Sequence, residues 1–188
     1  MSKLFQYGGI VASIILIAFG AGSIITGYNG RDRVHNDLAR EQIVGTFDSS
    51  IPNQFVNNGT KAEAFAKVMR KHTLEVTGGQ IYAQMGRYMG KDGKAINDEK
   101  AAAVDPKSGK SVDNPLRNLW VTETALTTAL HSSYFAESVA TFAIVMGFAL
   151  MITGGGFLVL TLRVLRVFGE EQEETEPAVA PSAAVLSS

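Results

Sequence analysis

The stretch SVATFAIVMGFALMITGGGFLVLTL, residues 138–162, contains no charged side chain over a length at which a soluble helix would carry several. As a helix it extends about 37 Å, enough to cross the roughly 30 Å hydrocarbon core of a bilayer. A second uncharged run, YGGIVASIILIAFGAGSIITGY, occupies Tyr7 to Tyr28. Two such runs predict two spans, 8–28 and 137–162. The first begins near Lys3 as a secretory signal would, but its apolar core is too long and no small-residue cleavage site precedes a polar start. It reads as an uncleaved anchor.

The predicted fold class is an all-α membrane protein: two transmembrane helices flanking a small helical extracytoplasmic domain, the second span continuous with a long outer helix. The organisation that follows is a cytoplasmic N-terminus (1–7), the first span, an outer domain (29–136), the second span, and a cytoplasmic acidic tail (163–188). Basic residues near the membrane set orientation. Lys3, Arg163 and Arg166 face Arg31 and Arg33, so the local count is nearly balanced. A loop as long as 29–136 crosses largely regardless of charge, which places both termini inside a bacterial plasma membrane. The tail, with five glutamates among small residues and prolines, lacks the apolar content to order itself.

Between the spans, NGRDRVHNDLAREQIV extends the first helix outward, with Asn29-Gly30 as its weak point. Residues 45–59 are rich in Gly, Ser, Asn and Pro and read as an irregular loop, within which Asn58-Gly59-Thr60 matches a glycosylation sequon. Thr60 and Glu63 have capping-box spacing, so a helix starts there. It ends at Gly78-Gly79, since glycine accepts the left-handed conformation just past a helix. Its apolar positions Phe65, Val68 and Val76 share a face with His72, and with Leu119, Trp120 and Leu126 they make up the predicted core of the outer domain. QIYAQMGRYM predicts a short helix, with an extended segment as the alternative. Residues 90–114 are lysine-rich and nearly free of large apolar side chains, and predict a flexible excursion. Asn114-Pro115 restarts helix, a capping residue followed by proline at the first helical position.

Small residues recur along both spans: Gly9, Ser13, Gly20, Ser23 and Gly27 on the first, Ala136, Ala140, Ala143, Gly147 and Gly154 on the second. Such stripes let helix backbones approach closely, the main route to association in lipid. They predict a seam between the spans or with a partner subunit, including self-association. Gly154-Gly155-Gly156 predicts a kink or a very close contact, with a lipid or quinone notch as a further reading. No Asp, Glu, His, Lys or Arg lies between Gly8 and Tyr28 or between Ser138 and Leu162, which counts against an ion-coupled transporter and leaves no histidine for a membrane haem.

The chemistry-bearing candidates are few. There is no cysteine, so disulfides and thiolate metal sites are excluded. The histidines are His35, His72 and His131. His72 precedes Glu75 by three residues, and an iron oxygenase would need a carboxylate and two histidines around open coordination positions. His72, set among apolar neighbours, reads instead as a packed side chain, with Glu75 on the wet side. No nucleophile elbow, phosphate-binding glycine loop or paired-carboxylate pattern appears. The near-neutral charge, -1 overall, gives no basic footprint for nucleic acid.

The stretch KHTLEVTGGQIYA, residues 71–83, within the span–domain–span layout of residues 8–162, resembles a group of small two-span membrane proteins of actinobacteria often labelled "aromatic ring-opening dioxygenase". The resemblance implies a plasma-membrane location and transfers no catalytic residue. The 90–114 segment departs from the compact pattern of that group. The expectation is therefore a non-catalytic accessory or scaffold subunit of a larger membrane assembly, for example a respiratory electron-transfer complex. Its partners would be the bilayer and other membrane subunits, with no cofactor, no bound metal and no small-molecule substrate. The alternatives are a metal-dependent oxygenase built on His72 and Glu75, or an extracytoplasmic sensor or lipid-handling module.

Overall fold

The computed structural model describes residues 2–173, with side chains for 7–163. The chain is mostly helical, and its contacts divide it into two units: one made of the chain ends up to Thr26 and from Ala143, the other of Gly27–Phe142. Helix α1 runs Ser2–Arg40, α2 Gly59–Val76 and α3 Pro115–Glu173. The stretches Tyr7–Arg40 and Pro115–Arg163 are long and apolar enough to cross a membrane. Asn29-Gly30 does not interrupt α1, and Gly154-Gly155-Gly156 does not interrupt α3, because an unbroken hydrogen-bond ladder outweighs the local preference of single glycines. The remainder of the acidic tail, 174–188, lies outside the described residues.

In the first unit, small residues on α1 meet small residues on α3. A Cβ added to Gly20 would lie 2.6 Å from the Gly147 carbonyl oxygen, and one on Gly147 would lie 2.6 Å from the Gly20 carbonyl oxygen. Ser13 is fully buried and turns its hydroxyl back to the Gly9 carbonyl at 2.7 Å, leaving no polar group unsatisfied at the contact. Gly154 packs on the Ser13 backbone. Ile144, Gly147 and Gly154 are the buried positions of α3 here. Their three- and seven-residue spacings match the repeat of a supercoiled pair.

The second unit has a compact core of Leu38, Ile51, Val56, Ala62, Ala66 and Leu130. The predicted irregular loop is ordered as a narrow hairpin-like fold, with Val44 bridged to Phe55 and Val56 N–H donating to the Ile43 carbonyl at 2.9 Å. This places Ile51 and Val56 inside. The N-cap of helix α2 lies two residues earlier than Thr60, where its sequence suggests it. Asn58 is the N-cap, its Oδ1 accepting from the Lys61 N–H at 2.9 Å, while Glu63 pairs with Lys67 rather than completing a box with Thr60. The helix ends as expected: Gly78 and Gly79 adopt φ of 63° and 79°, and the Gly79 N–H reaches the Leu74 carbonyl.

Three expectations need correction. Residues 80–89 form no α-helix but a short 3₁₀ turn, Tyr82–Gln84, followed by strand β1, Tyr88–Met89. Residues 90–114 are no loose excursion, and the unit is not all-α: β2, Ala95–Ile96, pairs antiparallel with β1. Bridges from Gly90 to Ala102, Tyr88 to Asp113 and Val104 to Ser111 fold the rest back onto this ribbon. Backbone hydrogen bonds and Asp-capped turns, as at Asp98 and Asp105, hold a segment that has few apolar side chains to bury.

The core residues also shift. Val68 is buried and Phe65 packs against the core, but Val76 is 61% exposed, Leu126 50% and Leu119 39%. The buried stripe of α2 is Gly59, Ala62, Ala66 and Thr73, continued by Thr77 at its C-cap, and that of α3 is Glu123, Thr127 and Leu130, with Trp120 half-buried beside it. The helices pack through small and polar side chains. Larger residues one position away are turned about 100° off that line.

Candidate functional site

His72 is not a core residue. Its side chain is 41% exposed and Nε2 lies 2.8 Å from Asp48 Oδ2, an oxygen that also accepts from Lys71 Nζ at 3.0 Å. Thr46 donates to the other oxygen at 2.9 Å. The hydrogen bonds from His72, Lys71 and Thr46 hold the Asp48 carboxyl well below the usual carboxylate range. Glu75 meets Lys71 at 3.8 Å instead of joining His72. His35 is held by Glu137, Nε2 to Oε1 at 2.9 Å, and His131 is exposed. Among the described residues no group of three or more His, Asp and Glu side chains converges. The arrangement at His72 is a surface ion-pair cluster that ties the residue 46–48 turn to α2.

Two acidic residues that the sequence reading passed over hold the second unit together. Glu137 receives Arg31 at 3.5 Å and His35 on Oε1, while Oε2 accepts the Gly59 N–H at the start of α2. Gly59 is required there: a Cβ would lie 2.8 Å from Tyr134 Cα. Glu123, 3% exposed, pairs with Arg70 at 3.0 Å, and the guanidinium lies 4.5 Å over the Trp120 ring. Glu123 Oε1 is buried without a hydrogen-bond partner among the described residues. Glutamate on an otherwise apolar helix was the available signal, since a buried carboxylate must find a cation.

The small-residue stripes do not all serve the contact within the first unit. Gly9, Ser13, Gly20, Gly147 and Gly154 do. Ser23 and Ala143 instead help line an open groove of about 580 Å³, together with Ala18, Phe19, Gly22 and Thr26. A Cβ on Gly22 would meet nothing within 4 Å. In the second unit Gly27 and Ala140 are buried, whereas Ala136 is exposed. Ala136 falls a full helical step from the line that runs through Glu137 and Ala140. The groove is thus a second strip of small residues along α1, with Ala18 and Gly22 exposed and Ser23 half-buried one turn from Gly20. Elsewhere, Leu126 opens onto a cleft of about 600 Å³ floored by Phe65, Met69 and Leu130 and rimmed by Asp37 and Glu41. Phe47, at a loop tip, is 88% exposed.

Comparison with protein-family models, with curated proteins and with solved structures finds no match to this chain.

Proposed function

We propose that the chain is a two-span plasma-membrane protein, both termini cytoplasmic, and that it serves as a non-catalytic accessory subunit of a larger membrane assembly. The observation that carries this reading is the groove along α1. One set of small residues is consumed by the pairing of the two helices, yet Ala18, Gly22, Ser23 and Ala143 leave a second strip open. In lipid, such a strip lets another helix come close enough for dispersion contacts to hold it. Exposed Phe47 and Val76 on the second unit add apolar surface for an extracytoplasmic contact. A respiratory electron-transfer complex is one assembly of this kind. The ion pairs that His72, His35 and Glu75 make with Asp48, Glu137 and Lys71 support a scaffold reading over a metal-dependent oxygenase built on His72 and Glu75.

Affinity purification of the tagged chain in mild detergent tests this. The expected result is a partner subunit at near-equal amount, lost when Gly22→Leu fills the groove and retained by Gly156→Ala. Because the Gly22 position is open, the leucine variant keeps its own helix pairing, read from an unchanged thermal unfolding midpoint. If the wild-type chain emerges alone, the subunit reading fails.

A further inference from the structure

A cavity of about 360 Å³ lies where the β-ribbon meets the start of α3, and its lining is polar. Two guanidinium groups, Arg87 and Arg117, face it. Neither forms an ion pair among the described residues, nor does Arg33, whereas Arg31, Arg40 and Arg70 of this unit do. Both are positioned by aromatic rings: Arg117 lies 4.0 Å from the Tyr82 centroid and Arg87 5.3 Å from that of Tyr88. Stacking of this kind orients the planar fork while leaving its edge donors free. Arg117 spends one donor on the Met85 carbonyl at 3.4 Å.

The floor beneath them is built, not incidental. Asn114 is 2% exposed. Its Nδ2 donates to the Gly86 carbonyl at 2.8 Å, its Oδ1 accepts from the Leu116 N–H at 3.0 Å, and its own N–H donates to the Arg87 carbonyl at 2.9 Å. The Arg87 N–H is in turn held by Asn97 Oδ1 at 3.1 Å. The backbones carrying the two arginines are therefore fixed to one another through a single buried amide. The Asn118 side chain adds a neutral hydrogen-bonding group, and Asp113 is the one carboxylate in the lining. Two cations against one anion leave the cavity positive by one charge.

We propose that this cavity binds a compact oxyanion, the phosphate or carboxylate group of a small ligand, held by Arg87 and Arg117. Guanidinium forks match such groups in a bidentate way, and two of them lining one concave site, Arg117 half-buried and Arg87 exposed at its edge, can hold one oxyanion together. The volume fits a ligand of a few to about ten heavy atoms at the lower end of small-molecule pockets. Asp113 tunes the site against highly charged anions, because it repels the second negative group of a polyanion. This binding function stands independently of the subunit reading.

The test is calorimetric titration of the full chain in neutral-lipid nanodiscs with inorganic phosphate and with acetate, against sodium chloride at equal ionic strength. Saturable binding of at least one of them is expected. Arg87→Gln, which leaves the backbone hydrogen bonds of the floor intact, weakens it tenfold or more. Arg117→Lys, which keeps the charge but not the fork, weakens it several-fold, and Asp113→Asn tightens it. Repeating the phosphate titration in phosphatidylglycerol nanodiscs separates the sources of the oxyanion. Competition there identifies a lipid headgroup and unchanged affinity a free ligand, both within the proposal. No saturable heat beyond chloride, or an affinity unchanged in Arg87→Gln/Arg117→Gln, overturns it.

Discussion

Residue 72 shows how a side chain's role follows from what reaches it. On α2 alone, His72 and Glu75 have metal-ligand spacing, but the chain fold delivers Asp48 to His72 and leaves Glu75 to Lys71. The resulting cluster makes a pH prediction. The folded-state value of Asp48 lies below its unfolded one, near 4, so its stabilisation is present above about pH 4 and is lost as pH falls further. Lys71 is raised by the Asp48 carboxylate, and its contribution is lost only as pH rises past the ordinary lysine range. Thermal midpoints of the wild type and Asp48→Asn, measured from pH 7 down to pH 3, should differ at neutral pH, and the gap should begin to narrow as pH falls below 4. A gap that persists undiminished at pH 3 would show that the Asp48 carboxylate charge contributes nothing. None of this was legible in the sequence, because Asp48 and His72 are joined only by the turn geometry of residues 45–56.

At the scale of elements, the two long helices and the ends of α2 and α3 were legible, and the packing lines were not. Charge-free length identifies α1 and α3, Gly78-Gly79 identifies the end of α2, and Asn114-Pro115 identifies the start of α3. Large apolar residues mislead about the interior: Ala62, Ala66, Thr73, Glu123 and Thr127 are buried while Leu119, Leu126 and Val76 are not. Helices that approach closely select small side chains at the contact, so residue size is the better signal there than hydropathy. Residues 80–114 escaped because their order comes from backbone pairing and Asp-capped turns, which carry no apolar period. The groove was half legible: Ser23 and Ala143 were identified as small, but not that exposed Ala18 and Gly22 extend their strip beyond the Gly20–Gly147 contact. The pairing of α1 with α3 gives a contrast that measures this. Gly20→Ala drives a methyl into the Gly147 carbonyl and should cost about 1–3 kcal/mol, as overpacking does. Gly156→Ala meets open space and should be neutral or slightly stabilising, since alanine favours helix by up to about 1 kcal/mol. Unfolding of both variants in a denaturing-detergent titration reads the difference, and equal midpoints would mean that the close approach contributes little.

For the whole molecule, the proposed topology follows from two charge-free runs and one long polar region between them, and it can be read out directly because the chain has no cysteine. Single cysteines at Ser50 and Ser108 fall on exposed turns of the Gly27–Phe142 unit, and a cysteine at Ser2 marks the N-terminus. A membrane-impermeant maleimide applied to intact cells should label the first two and spare the third. Permeabilised cells should label all three, which shows that each position is reactive. The nearly balanced count of Lys3, Arg163 and Arg166 against Arg31 and Arg33 makes this a demanding test, since the charge bias alone is small. Inverted labelling would put the Arg87–Arg117 cavity in the cytoplasm and change which small anions reach it. Labelling of Ser2→Cys together with Ser50→Cys in intact cells would mean that the first run does not span, and the two-span reading would fall with it.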